Sequence, residues 1–129
     1  MNEPEWIEND VVLAIHDEQL SEHGGLPGIR DPGMLESALA RPKNLFAYST
    51  EATLRQLAAA YAIALAKNLA FIDGNKRTAW LVCALFLELN HIRVIADQAE
   101  VVRVLLGAAD STISEEMVSW LEQENVTAR

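Results

Sequence analysis

From Thr78 to Leu89 the chain reads Thr-Ala-Trp-Leu-Val-Cys-Ala-Leu-Phe-Leu-Glu-Leu, apolar on nearly every face of a helix. That pattern predicts a central helix buried by its neighbours, so the rest of the chain has to supply the elements that cover it. The run is too short to span a bilayer, which takes about 20 consecutive apolar residues. With 129 residues, half of them apolar, the chain is long enough to bury a core as one domain over 1–129 without disulfides or metals.

The covering elements also read as helices. Val11, Val12, Ala14 and Ile15 predict a helix over 8–22, stopped by His23-Gly24-Gly25. After a glycine-rich loop, Asp31 caps a helix with Pro32 at its first position and Leu35, Ala38 and Leu39 on one face, and Pro42 is expected to end it. Residues 43–50 lack a helical period and predict an irregular or extended connection. Thr53 and Gln56 form a capping box for a helix reaching Asn68. Asn90 breaks the apolar helix, and His91 to Val94 form a short extended link. Asp97 with Glu100, and Ser114 with Glu115 and Glu116, predict two more helices. The expectation is an all-α fold of about six helices with no paired strands.

Ten Lys and Arg stand against 19 Asp and Glu, a net charge of −9, which argues against a nucleic-acid partner. No Lys or Arg precedes Arg30, so an anion site has to be built further along. The acidic N-terminus has neither the basic start nor the apolar stretch of a signal peptide, so a cytoplasmic protein without membrane attachment is expected. Cys83 lies in the apolar run and reads as a packing residue, as do Trp6 and Trp80.

The chemistry concentrates in Phe71-Ile72-Asp73-Gly74-Asn75-Lys76-Arg77-Thr78. Gly74 can take backbone angles that let the following N–H groups converge at a helix N-terminus, where the dipole adds positive character. Lys76 and Arg77 add full charges suited to phosphate oxygens. Asp73 is a hard oxygen ligand placed to hold magnesium against them; read from the residues alone, the same stretch is equally a polar helix N-terminus with solvated cations and Asp73 as its cap. The loop is not a Walker A motif, because the upstream glycine and its four-residue spacer are missing.

The stretch Phe71-x-Asp73-Gly74-Asn75-Lys76-Arg77-Thr78-Ala79 resembles the signature of the Fic/Doc superfamily, specifically its Doc branch of death-on-curing toxins. Ala14-Ile15-His16-Asp17, Gly24-Gly25-x-x-Gly28-x-Arg30-Asp31, Leu35 to Pro42 and Asn44 to Tyr48 stand in the order typical of Doc-like proteins. The resemblance implies a helical Fic/Doc-type domain that binds ATP with Mg2+. Asp73 would be the metal ligand, Gly74, Asn75 and Lys76 the anion hole, and Arg77 the arginine on the terminal phosphates. Ordinary Fic proteins transfer AMP to a protein hydroxyl. The Doc branch has lysine at the position of Lys76 and is associated with γ-phosphate transfer to elongation factor Tu, opposed by a cognate antitoxin. A lysine fills space that a glycine leaves open and adds charge, so the same phosphates cannot settle identically. Residues 43–48 align with the segment that flaps over the site in Fic proteins.

The chain departs from the pattern at Leu69, the position of the histidine that accepts the target hydroxyl proton. Leucine accepts no proton, so a contribution of about 10² to 10⁴ in rate is expected to be missing. Three accounts stand: a binding domain left by natural loss, inactivation of a toxin harmful to its own cell, or an enzyme whose base comes from elsewhere. A single base change fits best, because Lys67-Asn68 and Phe71 onward keep the pattern. Of the other histidines, His91 lies at the far end of the apolar helix, on the order of 20 Å away at 1.5 Å per residue. His16 and His23 read as structural.

Overall fold

In the computed structural model, residues 2–95 and 126–128 are described. They form α1 (Asn9–His23), α2 (Pro32–Tyr48), α3 (Leu54–Asn68), α4 (Asn75–Leu89), β1 (Ile92–Val94) and β2 (Val126–Ala128). Local chemistry sets several of these boundaries. The Asp31 carboxylate accepts the Met34 N–H at 3.2 Å beside Pro32. At α3 the capping box closes in both directions, with Gln56 N–H to Thr53 Oγ1 at 3.1 Å and Thr53 N–H to Gln56 Oε1 at 2.9 Å. Gly24, at φ 79°, stops α1.

α3 lies between α2 and α4, and α1 packs mainly on α4. Among the described residues α3 is the more enclosed helix. Leu57, Ala58, Ala59, Tyr61, Ala62, Ala64, Leu65 and Ala66 bury nearly its whole circumference, and the alanines let both neighbours approach. α4 instead buries one stripe, Thr78, Ala79, Val82, Cys83, Phe86 and Leu87, while Leu81 and Leu89 are exposed. Apolar composition all round therefore did not distinguish the enclosed helix from its neighbour.

The N-terminal segment is tied down across the chain. Asn90 accepts the Glu5 N–H at 2.8 Å and returns its amide to the Glu5 carbonyl at 3.0 Å and the Phe86 carbonyl at 2.8 Å. The Tyr61 hydroxyl accepts the Ile7 N–H at 3.0 Å, and Trp6 packs on Phe46 and Phe86. Burial pushes the Tyr61 phenol up to about 12, even though the Ile7 N–H works in the opposite direction.

Three expectations change. Pro42 does not end its helix: α2 runs through it to Tyr48, and residues 43–48 are its last turns rather than an extended connection. An interior proline forfeits one backbone bond and costs about 3 kcal/mol. Here its ring is fully buried, and Leu35, Ala38, Leu39 and Phe46 continue one stripe on both sides of it. The second change is a pair of strands. β1 and β2 are antiparallel in the register Ile92 with Ala128, Arg93 with Thr127 and Val94 with Val126. Strands of three residues are too short to show alternation. The third concerns number, with four helices among the described residues. The helices expected after Asp97 and Ser114 lie outside them.

Candidate functional site

The α3–α4 connection, residues 69–74, is shaped by backbone bonds to a distant segment. Ile29 bridges Phe71 in antiparallel fashion, and the Ile72 N–H reaches the Gly28 carbonyl at 3.1 Å. The Arg30 and Asp31 N–H groups both donate to the Ala70 carbonyl, at 2.8 and 3.0 Å. Leu69 caps α3 in the left-handed region, with φ 51° and ψ 48°. Its carbonyl is held by Arg30 Nε at 2.8 Å, and Arg30 Nη2 reaches the Asn68 carbonyl at 3.4 Å. The guanidinium thus serves the exposed carbonyls at the end of α3. The Leu69 side chain is 46% exposed and offers no polar atom to the site.

Asp73 is exposed and oriented from two sides. Its Oδ1 accepts the Gly74 N–H at 2.9 Å and its Oδ2 the Leu26 N–H at 3.2 Å. Gly25 lies close beneath this carboxylate: with φ 123°, it would place a Cβ 2.9 Å from Asp73 Oδ2. A side chain at position 25 would therefore displace the carboxylate as well as strain the turn.

Gly74, at φ 77°, is the N-cap of α4 without a side-chain cap bond. The N–H groups of Asn75, Lys76 and Arg77 occupy the first turn, and no acceptor for them appears among the described residues. The Asn75 side chain turns back on the loop: its Oδ1 accepts the Phe71 N–H at 3.0 Å and its Nδ2 donates to the Phe71 carbonyl at 2.9 Å. Asn75 can therefore offer an anion its backbone N–H, while its side chain braces the loop. Lys76 is half-buried and Arg77 exposed, and neither makes an ion pair among the described residues. The structure thus brings Asp73, Gly74, Asn75, Lys76 and Arg77 together at one helix N-terminus, with Leu69 at the preceding helix end.

Two buried polar residues of α1 reach this loop. His16, 3% exposed, has Nε2 2.8 Å from the Asp73 carbonyl and stacks on Phe71 with ring centroids 3.7 Å apart. Because a carbonyl only accepts, Nε2 carries the proton and donates it. The ring is buried and stacked on Phe71, so His16 supports the loop rather than standing in for the absent base. Gln19, 4% exposed, presses its amide against Gly74, and its Nε2 has no acceptor among the described residues. Leaving such a group unbonded costs about 1–3 kcal/mol.

Sequence reading missed Gln19, Gly25, Leu26 and Arg30 as site builders. One signal was present: Val12, His16 and Gln19 share the inward face of α1, and two polar residues on that stripe need partners inside the fold. Cys83 is fully buried, which pushes its thiol up to about 12 and makes it inert.

The residues fit a magnesium–phosphate group. Asp73 carries spare carboxylate lone pairs beside the open first-turn N–H groups, with two cations adjoining. Among the described residues no group of three His, Cys, Asp or Glu could hold a metal alone, so phosphate and water oxygens would complete the coordination.

A helical domain whose motif loop joins two packed helices is the architecture that the sequence resemblance implied. A family model described as the Fic/DOC family matches residues 6–87, and the chain belongs to that family. It is 38% identical over 108 residues to Protein kinase doc of Escherichia phage P1, covering 84% of this chain and 85% of that protein. To Toxin Doc of Mycolicibacterium smegmatis it is 41% identical over 75 residues, covering 57% of this chain and 58% of the relative. Within the family it is a Doc-like toxin.

Proposed function

We propose that the chain is the toxin of a toxin–antitoxin pair, built for ATP-dependent phosphoryl transfer to a hydroxyl of elongation factor Tu, and impaired at the proton-transfer step by Leu69. The observation that carries the reading is the set of open N–H groups on Asn75, Lys76 and Arg77, with the Asp73 carboxylate just before them in the chain and two cationic residues among them. Such a cradle meets the charge that develops on a transferring phosphoryl group. Asp73 would hold Mg2+, whose chemistry when bound is to neutralise phosphate charge. Arg77, exposed at the third position of α4, would engage terminal phosphate oxygens. Lys76 supplies charge where ordinary Fic motifs carry glycine.

Leu69 favours a second reading, a cytoplasmic domain that binds antitoxin and nucleotide without chemistry. No other histidine fills the gap. His16 is buried against Phe71 and the Asp73 carbonyl, His23 is exposed beside Glu22 at 3.6 Å, and His91 follows the opposite end of α4.

The deciding experiment supplies the base. Leu69→His is incubated with a cell lysate and ATP labelled at either the α or the γ phosphate, with growth arrest followed in parallel. Transfer of γ label together with arrest is expected. Transfer of α label instead establishes AMP transfer. No transfer and no arrest, with antitoxin still bound, leaves the binding-domain reading.

A further inference from the structure

The motif loop is only partly self-supporting at its glycine. Asp73 Oδ1 holds the Gly74 N–H at 2.9 Å, but Gly74, an N-cap at φ 77° with no side chain of its own, is free to rotate beyond that bond, and a small rotation there would re-aim the three N–H groups that follow. Further restraint comes from α1. His16 holds the carbonyl of the Asp73–Gly74 peptide at 2.8 Å, which opposes a flip of that peptide. At the same glycine, the Gln19 amide occupies the space a side chain would need. A Cβ on Gly74 would overlap Gln19 Nε2 and come within 3.0 Å of its Cδ. Gln19 is 4% exposed, and its Nε2 is bonded to nothing among the described residues, so the contact is one of shape.

We propose that Gln19 is a positioning residue of the anion cradle, filling the place of the missing Gly74 side chain so that the N–H groups of Asn75, Lys76 and Arg77 stay aimed at one point. This rests on the reading that the loop binds phosphate oxygens, and adds that a residue more than 50 positions upstream of the motif sets the loop's aim. Positions 19 and 74 then form one unit. A glutamine requires a glycine opposite it, and an alanine at 74 requires a shorter side chain at 19.

The test uses the full chain and the variants Gln19→Ala, Gln19→Met, Gly74→Ala and the double variant Gln19→Ala with Gly74→Ala. MgATP affinity is measured by calorimetry, and amide hydrogen exchange at 75–77 by NMR without nucleotide, with the thermal midpoint recorded alongside. Gln19→Ala is expected to weaken MgATP by about threefold to tenfold and to speed exchange at 75–77, whereas Gln19→Met, which keeps the volume, stays within about twofold of the parent. Gly74→Ala is expected to lose about tenfold or more, and the double variant to bind more tightly than Gly74→Ala alone. If Gln19→Ala does not fold, Gln19→Asn withdraws the amide by one methylene with the same expected loss.

Parental affinity and parental exchange in Gln19→Ala overturn the proposal, as does a Gln19→Met variant that loses as much as Gln19→Ala. A parent chain that does not bind MgATP defeats the nucleotide reading alone, and the exchange rates then decide the role of Gln19.

Discussion

The α2–α3–α4 core and the loop between α3 and α4 adjoin each other but are built by different means. In the core, contacts are apolar side chains at helical spacing, with alanines on α3 setting how closely its neighbours approach. In the loop nearly every holding contact ends on a main-chain atom: the Asp73 carbonyl from His16, the Leu69 carbonyl from Arg30, and both polar groups of Phe71 from Asn75. Core contacts add stability in proportion to buried area. Loop contacts add little area and fix direction, which is what the phosphate-binding role proposed for the loop would require. Damage to the first region should therefore appear as lost stability, and damage to the second as lost aim.

The largest expected effect tests the core. Phe86→Ala removes a fully buried ring that touches Trp6 and Tyr61, and should lower unfolding free energy by about 3–5 kcal/mol in denaturant titration. A loss below about 1 kcal/mol would mean that stability resides elsewhere than in this core. Alkali probes the same region. Tyr61 and Cys83 are raised to about 12 from 10.0 and 9.0, so the folded state keeps protons that the unfolded chain releases. Stability should be level below pH 9 and fall between 9 and 12, by up to about 1.4 kcal/mol per pH unit for each group. A flat profile to about pH 11 would contradict the burial of both groups.

The next two effects test the loop. Asn75→Ala deletes both bonds to Phe71 and should cost about 1–3 kcal/mol, with exchange rising at 70–74 before the core opens. Uniform loss of protection throughout α3 and α4 would erase the distinction between the two regions. Arg30→Ala should be mildest, about 1 kcal/mol, and confined to the C-terminal turn of α3 in NMR shift changes.

The two regions also differed in how far the sequence disclosed them. α3 was legible because its signals are local: Thr53 and Gln56 are three residues apart, and Leu57, Tyr61 and Leu65 mark its core face. The motif was legible for the same reason, since Asp73 to Arg77 are consecutive. What could not be read is what lies far apart in the chain. The loop is braced by Arg30, Leu26 and Gln19, none of which has a local partner that announces the role. The pairing of β1 with β2 joins residues more than 30 positions apart. Pro42 misled for a different reason: its penalty is a local quantity, while the packing that offsets it is tertiary.

The clasp at Asn90 bears on the order in which the molecule assembles. It joins residues 85 positions apart, so Glu5 is synthesised long before the residue it pairs with. Helix pairs α2–α3 and α3–α4 can form while the chain is still emerging, but the clasp cannot close until α4 is complete. A ribosome that stops short of Asn90 releases a product in which Glu5 has no clasp. The clasp thus couples docking of the segment around Glu5 to translation past the motif.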